Sequence, residues 1–141
     1  VTPSNPAATP PPHAGFAPLT SSCAFVSRCG RYYLRAAGVA GPTVGAWIGP
    51  DQADAEGFAD AAFLLTFADF ALTEITQAIT LKLSADCLAR ARVGEWIEAT
   101  VTVRGESGAL VFADALIVSQ SGHEVMRVHG TFRPVRQVSA P

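Results

Sequence analysis

The stretch 57–73, GFADAAFLLTFADFALT, constrains the chain more than any other. Between residues 59 and 72 it is apolar nearly all round, and only Asp60, Thr66 and Asp69 interrupt it. A surface helix carries one polar face. This stretch carries none, which predicts a helix enclosed by other elements. Asp69 then falls in the most apolar part of the chain. A carboxylate in such surroundings is costly unless it is paired or put to use. Asp69 is therefore the leading candidate for a functional residue, with a structural Asp inside a subunit interface as the alternative.

An enclosed helix needs a large covering surface. The chain has 141 residues, enough for one domain with a real core. It is 49% hydrophobic and only 16% charged, so much surface is buried or shared with a second subunit. A formal net charge of −2 offers no footprint for nucleic acid or an anionic membrane. Cys23, Cys29 and Cys87 show neither a CxxC nor a Cys/His metal spacing, as expected for reduced thiols in a cytoplasmic protein. No apolar run reaches membrane-spanning length, and the first residues lack the basic-then-apolar pattern of a secretory leader. His13, His123 and His129 all lie away from the helix stretch. There is no Gly-x-Ser-x-Gly, phosphate loop or metal-ligand cluster, so neither a metal nor a separate cofactor is expected.

Along the chain, residues 1–15 form a Pro-rich segment without periodicity, expected as a mobile arm over residues 1–12. A single domain is expected over 16–136, with a tail at 137–141. Residues 23–28 and 31–36 are short strand candidates around a turn at Cys29-Gly30, and 43–48 is another strand. Residues 49–56, GPDQADAE, form an acidic loop. Asp54 and Glu56 would cap and offset the start of the helix, near residues 57–60. After the helix the period changes to two. Ile79, Leu81, Leu83, Ala85 and Cys87 alternate with polar residues, and Ile97, Ala99, Val101 and Val103 do the same. Residues 109–118 are apolar on both faces apart from Asp114, and 124–133 alternate again. Turns at 105–108 and 119–122 make these last strands antiparallel neighbours. The fold class is α+β, an antiparallel sheet curled around one helix. Such a sheet leaves an edge strand and part of the helix bare, faults that dimerisation would cure.

With these elements in place, the chain resembles the hotdog-fold acyl-CoA thioesterases, in particular the phenylacetate-pathway type. Their motif runs Asn-x-x-Gly-x-x-His-Gly-Gly and then a small apolar helix ending in Asp. Laid on this sequence, the Asn falls at Asp54, the Gly at Gly57, the His at Asp60 and the Gly pair at Ala61 and Ala62. The helix Asp falls at Asp69, within TFADFAL. A Ser or Thr early in the next strand matches Thr80. The family's strand-ending turn matches residues 90–95, RARVGE. The match spans about residues 53–132. Where the family has His-Gly-Gly, this chain has Asp-Ala-Ala, so Asp60 would oppose charge developing beside it, or else point into solvent and cap the helix.

The resemblance implies hydrolysis of a small or medium acyl- or aryl-CoA thioester, with coenzyme A entering as part of the substrate. Asp69 would be base or nucleophile. The amide of Ala61, with Ala62 beside it, would hold the thioester oxygen at the positive end of the helix. Leu65, Thr66 and Thr73 continue that face. Thr80 would bond the attacking water or the second carboxylate oxygen, or else face solvent. Asp54 takes the Asn position only in part, since an ionised carboxylate donates no hydrogen bond. Arg90 and Arg92 suit the phosphates of coenzyme A, or form a solvated turn. The expected assembly is a homodimer, with a dimer of dimers as the further step. The other reading is a hotdog protein that binds acyl-CoA or another apolar ligand without hydrolysing it.

Overall fold

The computed structural model describes residues 9–135. Of the mobile arm expected over residues 1–12, residues 1–8 lie outside them, as does the whole tail expected at 137–141. The elements run β1 (Ala17–Leu19), α1 (Ala24–Cys29), β2 (Tyr32–Arg35), β3 (Thr43–Trp47), a 3-10 turn at Pro50–Gln52, α2 (Ala61–Thr76), β4 (Ala78–Cys87), β5 (Trp96–Ser107), β6 (Leu110–Ser119) and β7 (Glu124–Pro134). The seven strands form one antiparallel sheet in the order β1-β2-β3-β5-β6-β7-β4. The meander β5-β6-β7 needs only short turns. β4 reaches the far edge because α2 carries the chain across the inner face.

The inner face is built by alternation. Val44, Ala46, Ile97, Ala99, Ala115 and Ile117 all point at α2 and are buried. They meet Phe63, Leu64, Phe67, Ala68, Phe70, Ala71 and Leu72 of the helix. The helix begins at Ala61, later than expected, and ends at Thr76, where Gln77 turns left-handed at φ 53°. Thr73 and Thr76 survive inside it because each hydroxyl donates to the carbonyl four residues back.

Residues 23–28, expected as a strand, form the helix α1 instead. A short apolar run is ambiguous by periodicity. Here Val26 and Cys29, three apart, turn one face to the core. The Ser27 amide closes the turn on the Cys23 carbonyl at 3.0 Å. The hairpin turn expected at 105–108 sits two residues later, because Ser107 still pairs with Leu110 and Gly108 takes φ 61°.

β4 departs from simple alternation. Thr80 lies opposite Phe132 and Lys82 opposite Thr131, so Leu81 is an extra residue in a bulge. The bulge changes which parity faces in. Thr80 points to the helix side with buried Phe132, and beyond the bulge Leu83 and Ala85 do so. Ile79 and Leu81 remain about half exposed, at 46% and 53%, on the outermost strand.

The outer face carries a feature with no sequence signal. Residues 9–16 cross it as a strap. The indole of Trp47 donates to the Thr9 carbonyl at 3.1 Å, and His13 Nδ1 lies 3.2 Å from Glu98. Phe16 stands edge-on to Trp96 at 5.3 Å, with the Arg35 guanidinium over its ring. Trp96 also packs against Tyr33 and Trp47 and is fully buried. Its ring lies against Gly45, where a Cβ would come 2.1 Å from Cζ2. On the same face, Asp114 bonds Arg104 at 2.6 Å and His129 at 2.8 Å. Desolvation pushes the Asp114 pKa up, but those two bonds outweigh it and leave it lowered.

Candidate functional site

One stripe of α2 stays open. Ala62 is exposed, and Leu65, Thr66, Asp69 and Thr73 are half-buried. They recur at helical spacing on one side. Asp69 is thus less enclosed than the sequence implies, because the single chain covers only part of the helix. Thr80 reaches it from β4, its hydroxyl donating to Asp69 Oδ1 at 2.5 Å. The bulge at Leu81 makes this contact possible by turning Thr80 inward. Asp69 Oδ2 has no hydrogen-bond partner among the described residues.

The start of α2 is closed by its own cap. Asp60 Oδ1 accepts the Ala62 amide at 2.8 Å, and the Asp60 carbonyl accepts Leu64 N–H at 3.0 Å. Asp60, and neither Asp54 nor Glu56, is the acid that caps the helix. The Ala61 amide has no acceptor among the described residues. Beside this N-terminus lies a cleft of about 340 Å³. Ala62, Phe63 and Thr66 of α2, with its cap Asp60, form one wall. Phe25, Arg28 and Cys29 of α1 form the other, and Asp51, Gln52 and Ala53 form the floor. Asp69 lies one turn beyond Thr66 along the same stripe.

The loop before the helix is a separate, self-contained knot. Asp54 Oδ1 accepts the amides of Glu56 and Phe58 at 2.9 and 3.1 Å, while Oδ2 takes Arg90 Nη2 at 2.6 Å. The bond from Phe58, with those from Glu56 and Arg90, lowers the Asp54 pKa against desolvation. Arg90 also bonds Glu56 at 2.8 Å and lies 3.9 Å from the Phe58 ring centroid. Gly57 takes φ 85°, which a side chain there would strain. Both Asp54 oxygens are therefore committed to the loop and Arg90, and neither bonds Asp69 or Thr80. Arg92 lies 4.6 Å from the same ring centroid, and no ion pair engages it among the described residues.

The structure thus brings Asp69, Thr80, Thr66, Leu65 and the helix start along one stripe, and sends Asp54 and Arg90 to each other. Sequence reasoning missed Phe25, Arg28, Cys29 and Gln52. They meet Asp60 and Ala62 only through tertiary packing, and no motif marks them.

No family model matches the sequence, and no curated protein matches it. Solved structures do. The TT0310 protein of Thermus thermophilus aligns at a TM-score of 0.70 and 21% identity, over 82% of this chain and 100% of that one. A hypothetical thioesterase of Streptococcus pneumoniae, solved with coenzyme A, aligns at 0.66 and 17%, over 70% and 80%. The E. coli PaaI protein from the phenylacetic acid degradation operon aligns at 0.63 and 19%, over 67% and 72%. The curled sheet around one long helix is the hotdog fold.

Proposed function

We propose that the chain hydrolyses acyl-CoA thioesters, with Asp69 as base or nucleophile. One observation carries this reading: a half-buried carboxylate with Thr80 on Oδ1, on the open stripe two turns from a helix N-terminus. Thr80 fixes the carboxylate's rotation. Oδ2 then takes a proton from water, or attacks the thioester carbon itself. Charge develops on the thioester oxygen, and the Ala61 amide and helix dipole of a second copy of the chain stabilise it, because within one chain Ala61 lies eight residues, about 12 Å, from Asp69. In the base route the thiol leaves with that proton and the acyl group leaves as the acid; in the nucleophile route the thiolate leaves first, and water then cleaves the acyl–Asp69 anhydride, giving the acid and a proton for the thiolate. Leu65, Thr66 and Thr73 flank the path, and Arg92 is the cation for the coenzyme A phosphates. Solved neighbours holding coenzyme A or acetyl-CoA support this ligand class. The test is a panel of CoA thioesters with detection of the released thiol. Release no faster than in buffer from every thioester would sink the reading.

The second reading, binding without hydrolysis, is favoured by the Asp60 contact. Its carboxylate sits on the Ala62 amide and puts negative charge where more must develop. Asp60→Asn keeps a good cap while removing the charge. Thiol release should rise about fivefold, the scale of one partly screened charge of ~1 kcal/mol. An unchanged rate in a folded variant means that this charge does not limit turnover.

The assembly proposed is a homodimer, with a dimer of dimers as the further step. β4 is an edge strand, and Ile79 and Leu81 on it and Leu88 just beyond its end are each near half exposure. Antiparallel pairing with a second β4 would cover them and satisfy the edge. Sedimentation should give twice the chain mass or more at micromolar concentration; a stable monomer there rules this assembly out.

A further inference from the structure

The cleft beside the start of α2 is only as wide as α1 allows. α1 has six residues, none of them buried. A helix that short does not hold itself together in water. Its seat is made by two side chains from below. The Tyr32 hydroxyl donates to the Val26 carbonyl at 3.0 Å, and Gln52 Nε2 donates to the Cys29 carbonyl at 2.9 Å. Both acceptors belong to the last turn of α1, where carbonyls lack helical partners.

Each anchor is itself fixed. The Tyr32 ring packs between α2 residues, 4.7 Å from the Phe70 ring and 6.1 Å from Phe67. Burial pushes its pKa up, so the hydroxyl stays a donor across the working range. Gln52 Oε1 accepts the Gly49 amide at 2.7 Å, and the Gln52 carbonyl accepts the Asp60 amide at 2.8 Å. Gln52 therefore ties α1, the cleft floor and the cap of α2 to one another. From α1 the Phe25 side chain, 65% exposed, lines the cleft whose other wall includes Phe63.

We propose that α1 is the specificity wall of this cleft, with Tyr32 and Gln52 as positioning residues that set how long an acyl chain it admits. This rests on the thioester reading above. A chain running from the start of α2 lies between Phe25 and Phe63. Each methylene buried there adds about 0.8 kcal/mol, close to fourfold in affinity. The gain stops at the length where the chain meets the seated wall. Loosening the seat moves that break point outward.

The probe is a series of S-alkyl-CoA thioethers of increasing chain length, which lack the reacting carbonyl. Their affinities are measured by calorimetry, with thermal stability followed in parallel. In the natural protein, affinity should climb about fourfold per methylene and then level off. Tyr32→Phe keeps the ring and loses the hydroxyl. Gln52→Glu keeps an acceptor for Gly49 and loses the donor to Cys29. Both, and Phe25→Ala, should shift the break point by two methylenes or more. Anchors that serve stability alone would lower the melting temperature and leave the break point in place, which overturns the proposal. A break point that moves in none of the three variants overturns it too. If no thioether binds, the ligand class is wrong and the proposal falls with it. If thioethers bind as described but no thioester is cleaved, only the hydrolytic reading fails.

Discussion

Asp69→Asn should lower kcat for a cleaved thioester by about 10²-fold or more, the usual scale for losing a positioned acid–base group. That loss is ~2.7 kcal/mol of transition-state stabilisation. The amide keeps the size of the carboxylate, and its oxygen still accepts the Thr80 hydroxyl. It can neither take a proton from water nor attack a carbonyl. Ligand affinity should therefore change little, and the melting temperature should hold. The two readings separate cleanly here. A thioesterase loses turnover and keeps binding. A binding protein shows no turnover in either form, and the substitution acts on affinity or stability alone. Full hydrolysis by Asp69→Asn, of a thioester that the natural protein cleaves, would remove Asp69 from the chemistry.

Gly45→Ala should be strongly damaging, although it adds only one methyl group to the sheet. The added carbon would stand 2.1, 2.7 and 2.9 Å from three atoms of the Trp96 ring. That ring cannot step aside, because Phe16, Tyr33 and Trp47 hold its other sides. Nor can Gly45 withdraw, since β3 is paired with β2 through Tyr33 and with β5 through Glu98. Overpacking at such a site costs about 3 kcal/mol. For a domain of this size that is a fall of roughly 10 °C in the melting temperature. Adding Trp96→Leu should recover part of it by vacating the space. A drop of under 2 °C from Gly45→Ala alone would mean that the strap and its aromatic cluster yield easily.

The elements that the sequence discloses are those with a clean period. β5 and β7 alternate without ambiguity, and the enclosed stretch around Phe67 has no other solution than a core helix. Asp69 stands out because it breaks that stretch. Thr80 is nominated by resemblance alone, and nothing in its local pattern says that it faces the helix. Simple alternation assigns it outward, with Lys82, and only the bulge reverses that. α1 is hidden for a different reason. Its six residues have too short an apolar pattern to choose between helix and strand, and tertiary bonds from Tyr32 and Gln52 decide. The strap over Trp47 and Trp96 is hidden because residues 9–16 carry no periodicity. Its contacts are to groups dozens of residues away. The acids near the helix start divide their roles for a local reason. Asp54 finds amides in its own turn and Arg90 across it, which leaves the helix start to Asp60.

The bulge at Leu81 also makes the length of β4 adjustable at one point. Most strand interiors do not tolerate a gained or lost residue, since every side chain downstream changes face. At Leu81 that limit is lifted. Without it, Thr80 would still lie opposite Phe132, Lys82 opposite Thr131 and Leu83 opposite Gly130, in an unbroken ladder that keeps Thr80 and Leu83 on the helix side. A strand that kept Leu81 but lost the bulge would face a choice, with either Thr80 turned from Asp69 or Leu83 turned from the core. Variation at this position can therefore run through loss of the residue as well as exchange of its side chain, whereas a length change elsewhere between Thr80 and Leu83 would part the two.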